Sequence, residues 1–133
     1  MKRIYEKGDQ KIYRKTIAQE DLAAFHGSVL HAVYATFALA RDFEWSSRLF
    51  FIDMKEDDEE GVGTFLQIYH RSLAFAGEEV VITATVDKIE GNELLCHIEA
   101  RVGDRLIADG VTGQRMLKKE RLNALLKKTG HGG

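Results

Sequence analysis

From residue 62 onward the chain is a succession of segments that alternate apolar and polar residues and are separated only by short, glycine-bearing connections. The segments cover residues 62–70, 79–89, 94–102 and 105–117, with Gly77, Gly91 and Gly103 between them. A parallel pair needs a crossover of about a dozen residues or more, usually a helix, so strands this close in sequence run antiparallel. Ahead of them the pattern predicts a strand near residues 10–17, a short helical turn at 20–26 and one long helix over about 36–52. A basic helix at 119–128 closes the chain. One early helix without further alternation of strand and helix argues against a doubly wound fold. The expected class is α+β: an antiparallel five-stranded sheet wrapped round one long central helix.

The connection "IEGNEL" tests the strand register. With Gly91-Asn92 as a two-residue loop, Ile82 would face Arg101 and Ala84 would face Glu99. A three-residue loop, Glu90 to Asn92, pairs Val80 with Val102, Ile82 with Ala100, Ala84 with Ile98 and Val86 with Cys96. The second pairing gathers one apolar face, and it is the expected one. Cys96 then faces the core and reads as a small hydrophobe rather than a nucleophile.

At 133 residues the chain has the size of one domain, spanning 1–133 with a loose tail from about residue 129. No run approaches the roughly 18 apolar residues of a membrane span. A lone cysteine, and a start without the apolar stretch of a secretory signal, make the cytoplasm the expected compartment. The formal net charge of −2 and the lack of aromatic-basic interleaving argue against a nucleic-acid partner. The acidic run 56–60 reads as a solvated turn rather than a metal site.

In the central helix Phe37, Leu39, Ala40, Phe43, Leu49, Phe50, Phe51 and Ile52 spread round most of the circumference, so several faces should meet protein. Glu44 stands out among them. Either it lies in apolar surroundings, where a carboxylate must be paired, protonated or solvated by a cleft, or it shares an exposed stripe with Arg41 and Arg48 and forms helix-surface ion pairs. Thr36 precedes it by eight positions. Eight helical residues span about 12 Å and turn through about 80°, so the two side chains cannot bond to each other within one chain.

Three segments now stand together: "ATFALARDFEW", with Thr36 and Glu44; "GVGTFLQIYHRSLAFAGEEVVITATV", with Gly63 and His70; and "LIADGVTGQRMLKKERL". Over residues 17–122 the chain resembles the hot-dog-fold thioesterases, most closely the fluoroacetyl-coenzyme A thioesterase-like branch, and the spacing Thr36, Glu44, His70 matches that branch's catalytic set. It departs from the family in having Phe37 rather than proline after the threonine, and Gly110-Val111-Thr112-Gly113 where the last strand often carries a histidine. The resemblance implies hydrolysis of a thioester on coenzyme A or an acyl carrier protein, with no cofactor and no metal. It also implies a homodimer with its active sites between subunits, pairing of dimers being left open.

On this reading Glu44, its pKa raised by apolar walls, is general base or nucleophile. His70, on the strand face of Val62, Leu66 and Ile68, orients Glu44 or carries a proton. Thr36 positions the water or attacks, and the backbone near Gly63 holds the carbonyl oxygen. Each residue also has a plain structural reading: Thr36 as a helix N-cap, His70 as a satisfied strand-end histidine, Gly63 as relief of crowding. Arg115 and Lys118, with Lys119 and Arg121, suit the phosphates of coenzyme A or an acidic carrier protein, and equally suit a solvated terminal helix. His26, His31 and His97 lack ligand spacing and are read as structural. The competing functions are a non-catalytic acyl-CoA-binding module of the same fold and, on the same scaffold, a dehydratase or isomerase, whose Asp/His arrangement the sequence lacks.

Overall fold

The computed structural model describes residues 1–25 and 28–130. Its elements are β1 (Gln10–Thr16), a 3-10 turn (Gln19–Asp21), β2 (Leu22–Phe25), β3 (Ser28–Tyr34), α1 (Thr36–Met54), β4 (Glu59–His70), β5 (Glu79–Glu90), β6 (Glu93–Val102), β7 (Arg105–Lys118) and α2 (Lys119–Gly130). Five strands form one antiparallel sheet in the order β1-β5-β6-β7-β4, so β1 and β4 are its two edges.

The helical turn expected at 20–26 is corrected. Only Gln19–Asp21 turns, and the chain then extends into β2, which pairs with β3 as a separate hairpin. The short apolar run of Leu22–Phe25 carries no periodicity that separates strand from helix, and β3 was not anticipated at all. His26, and with it the end of the expected turn, lies outside the described residues. The loose tail expected from 129 begins with two residues that continue α2, and 131–133 lie outside the described residues.

The expected register of β5 on β6 is present: Ile82 faces Ala100, Ala84 faces Ile98 and Val86 faces Cys96. The loop is nevertheless two residues long, since Glu90 pairs with Glu93. A register shift between Val86 and Lys88 absorbs the extra residue, and Gly91 takes a φ of 59° in the tight turn.

The inward face of the sheet, with Val80, Ile82, Ala84, Val86, Cys96, Ile98 and Ala100, packs on Leu39, Phe43, Phe50 and Phe51 of α1, all of them buried. Burying each phenylalanine contributes about 2 kcal/mol. Cys96 belongs to this core, and burial pushes its thiol up to about 12, which removes it as a nucleophile. The helix is not enclosed on every side, however. Phe37, Trp45 and Ile52 stay exposed because the sheet wraps only one side of α1. The acidic run is likewise not wholly solvated, since Glu59 opens β4 and is buried.

A polar network ties α1 to β1. Lys15 Nζ lies 2.9 Å from Asp21 and 3.2 Å from Asp42, Arg41 Nη2 lies 2.5 Å from Asp21, and the buried Tyr34 hydroxyl donates to Asp42. Arg41 is therefore committed to these aspartates rather than to Glu44.

Candidate active site

Strict alternation along β4 would put Gly63 and His70, seven residues apart, on opposite faces of the sheet. The structure places both on the helix side. Gly63 pairs with Gln114 and Phe65 with Gly113, leaving Thr64 as an extra residue in a bulge. The bulge inverts the parity of the strand. Leu66, Ile68 and His70 keep the face expected of them, whereas Val62, expected beside them, turns to the other side.

Thr36 is the first residue of α1. The N-cap is Ala35, which offers no side-chain cap, and the Thr36 hydroxyl is engaged elsewhere: Oγ1 lies 3.1 Å from His70 Nδ1. Burial pushes the imidazole of His70 below its ordinary pKa, with a weaker opposing contribution from the Ser72 backbone. A neutral ring protonated at Nε2 can accept the Thr36 hydroxyl proton at Nδ1. His70 Nε2 is shut off from solvent and has no hydrogen-bond partner among the described residues.

Glu44 lies two turns further along α1, apart from this pair. Its side chain is 45% exposed and its Oε1 lies 3.2 Å from Arg48 Nη2. The expected apolar walls are thus replaced, within one chain, by a guanidinium one helical turn away. The carboxylate rests on Gly63: a Cβ there would collide with Oε1 and lie 3.1 Å from Cδ. Gly63 therefore does more than relieve crowding between strands, and its role is tied to Glu44.

Sequence reasoning missed Gln114. It is buried on β7, donates through Nε2 to the Glu44 carbonyl (2.9 Å) and Ser47 Oγ (2.7 Å), and accepts from Arg48 Nε through Oε1. Its parity was a usable signal, because Gln114 alternates in step with Met116, which belongs to the core.

Arg115 and Lys118 stand apart from these groups. Arg115 is exposed between the buried Gln114 and Met116, which sends it to the outer face of the sheet, where it pairs with Glu93. Lys118 pairs with Asp58 at 3.1 Å and Glu59 at 3.6 Å. Two open clefts flank the helix-side groups. Arg41, Glu44, Trp45 and Arg48 line one of about 320 Å³, and Ala23, Ala35, Thr36 and Phe37 line another of about 330 Å³. A third cavity, about 570 Å³, is a charged depression lined by Arg14, Glu79, Thr83, Glu99 and Arg101, and holds none of the candidate residues. Among the described residues no group of three or more His, Cys, Asp or Glu side chains is placed to hold a metal ion, and no helix is long and apolar enough to cross a membrane.

A family model described as FlK, fluoroacetyl-CoA-specific thioesterase, matches residues 17–120. The chain belongs to the FlK thioesterase family. Membership makes it a thioester hydrolase by class. Solved structures agree on the hot-dog fold. A Thermus thermophilus protein described as a thioesterase superfamily member is 27% identical, with 97% of this chain and 96% of that chain covered and a TM-score of 0.91. FlK itself is 19% identical over 94% of this chain and 97% of its own, with a TM-score of 0.85. A hot-dog-like protein from Thermanaerovibrio acidaminovorans is 18% identical over 93% and 92%, with a TM-score of 0.86. A comparison with curated proteins gives no match.

Proposed function

We propose that this FlK-family member hydrolyses an acyl thioester of coenzyme A, or of an acyl carrier protein, at a site shared by two copies of the chain. The observation that carries the reading is the 3.1 Å contact between Thr36 and His70. It engages the hydroxyl of the first helical residue, which takes no part in the cap, with an imidazole whose pKa burial lowers. Variants of FlK have been solved in complex with acetyl-CoA and with fluoroacetate and CoA, which supports a coenzyme A ester as the substrate here.

The half-sites Thr36/His70 and Glu44/Gly63 are separate within the chain, and β4 offers the means to join them. Its outer edge carries no strand among the described residues, and Phe65, Leu66 and Tyr69 are 51%, 41% and 50% exposed. Long apolar edges of this kind pair with another strand. Two β4 edges related by a two-fold axis at Gln67 would set Leu66 opposite the partner's Ile68 and Phe65 opposite the partner's Tyr69. The Gly63–Thr64 bulge then falls opposite the partner's His70, next to Glu44.

In the proposed reaction Thr36 and His70 hold a water against the thioester carbonyl. Glu44 takes a proton from that water as its oxygen bonds to the carbonyl carbon, and a backbone N–H left unpaired by the Gly63–Thr64 bulge receives the oxyanion. The carbon–sulfur bond then breaks, a proton passes to the thiolate by way of His70, and a carboxylic acid and a free thiol leave. No cofactor is invoked. Arg115 and Lys118 are assigned to coenzyme A phosphates, which would exchange with Glu93 and Asp58 as partners.

A panel of acyl-CoA esters assayed for released thiol tests the reading. Turnover is expected for at least one ester, with Glu44→Ala and His70→Ala folded but slowed by about 100-fold or more. Tight binding of every ester without turnover would mark a binding module instead, and full activity in both variants would remove Glu44 and His70 from the mechanism.

A further inference from the structure

We infer that Arg48 and Gln114 are positioning residues that hold the Glu44 carboxylate over Gly63; the catalytic consequence rests on the reading of Glu44 given above. Three observations converge. Gln114 is 1% exposed, and an amide placed so deep is costly unless it is bonded. Besides a bond to Ser47 Oγ at 2.7 Å, the amide addresses Glu44 from two ends. Nε2 reaches the Glu44 main-chain carbonyl at 2.9 Å, and Oε1 receives Arg48 Nε, whose guanidinium reaches Glu44 Oε1 at 3.2 Å. An apolar residue at 114 could pack β7 against α1 as well, but could not orient Arg48.

The guanidinium also suits this task better than an ammonium would. Arg48 spends Nε on Gln114 and Nη2 on Glu44, so the planar fork fixes one group relative to the other. A freely rotating surface arginine would make only the second contact, the weak helical ion pair of residues four apart. Arg48 is instead 23% exposed and anchored to the sheet.

Crystal structures and kinetics of Arg48→Met, Gln114→Met and the double variant test this. In Arg48→Met the Glu44 carboxylate is expected to leave Gly63. With the best ester of the panel, kcat should fall about tenfold or more while KM stays within about twofold, the signature of a lost transition-state interaction. Because the two residues act in series, the double variant should be no slower than Arg48→Met alone. Arg48→Lys keeps the charge and an unchanged Tm but cannot make both contacts, so it should also lose kcat. A carboxylate still seated on Gly63 in Arg48→Met, or losses that multiply in the double variant, overturns the inference. Wild-type kcat in Glu44→Gln would instead defeat the catalytic reading of Glu44, and the displacement in the Arg48→Met crystal would still decide the positioning.

Discussion

Gly63 lacks a side chain because Glu44 occupies the space where one would be. The nearest atoms to a Cβ there are the carboxylate of Glu44, the mobile end of a long side chain, so Gly63→Ala should fold and displace Glu44 rather than the backbone. We expect its Tm to stay within a few degrees of wild type and its kcat to drop about 10- to 100-fold, the loss typical of a small misplacement at a reacting centre. A kcat equal to wild type would show that the seat on Gly63 is dispensable. At this scale the sequence was informative about identities and about partners within one helix, and silent about partners far apart in the chain. The spacing of Thr36 and Glu44 was legible because helix geometry is fixed, and so was the pairing of Glu44 with Arg48 four residues on. The link from Arg48 to Gln114 spans 66 positions, and no local rule connects residues so far apart.

Elements built from alternating side chains were readable to within a few residues, and the places where reading failed are those where alternation breaks. The β5–β6 face followed from matching apolar residues, yet its loop length did not, because a bulge beside Asp87 adds a residue without altering the inward set. The Thr64 bulge misled more seriously: Gly63 has no side chain to declare a face, so Val62 was assigned to the wrong side. The β2–β3 hairpin, with register shifts on both sides of Ala23, offered no regular pattern at all. The network between β1 and α1 escaped for a different reason, since its carboxylates are satisfied only in three dimensions. It also makes a prediction about acid. Burial pushes the Asp21 carboxyl up, but the Ala18 N–H, Arg41 and Lys15 outweigh that effect and hold it below its ordinary value of 3.8. A lowered carboxyl stabilises the fold above its unfolded pKa and loses that contribution as pH falls through the folded value. Asp21→Asn should therefore cost about 3 kcal/mol at pH 7, leaving Lys15 and Arg41 short of a buried partner. In urea titrations the gap from wild type should close as pH drops below 3.8. A gap that stays constant from neutral to acid pH would contradict the ionic account.

For the molecule as a whole, the separation of the two half-sites decides what an active particle must be. Thr36 binds His70 and Glu44 sits on Gly63, and a rigid helix keeps the two pairs about 12 Å apart along its axis. If catalysis joins Thr36 and His70 of one chain with Glu44 and Gly63 of its partner, two damaged chains can repair each other. Glu44→Ala spoils one half-site and His70→Ala the other, so a heterodimer of the two variants contains one intact composite site and one doubly broken site. Random pairing makes half of the dimers mixed, each with half of its sites intact, so co-expression should recover about one quarter of wild-type activity. Chains whose sites are complete within themselves would recover nothing above the two parent variants. The proposed two-fold would place Gln67 opposite its own copy, within disulfide reach, while Cys96 is too deeply buried to compete. Gln67→Cys should thus crosslink rapidly on oxidation, whereas Asp104→Cys, exposed in the β6–β7 turn at the far end of the sheet, should not. Recovery of activity without the Gln67→Cys crosslink would keep the shared site and shift the strand register; failure of both would remove the shared site and leave Glu44 without an imidazole to work beside.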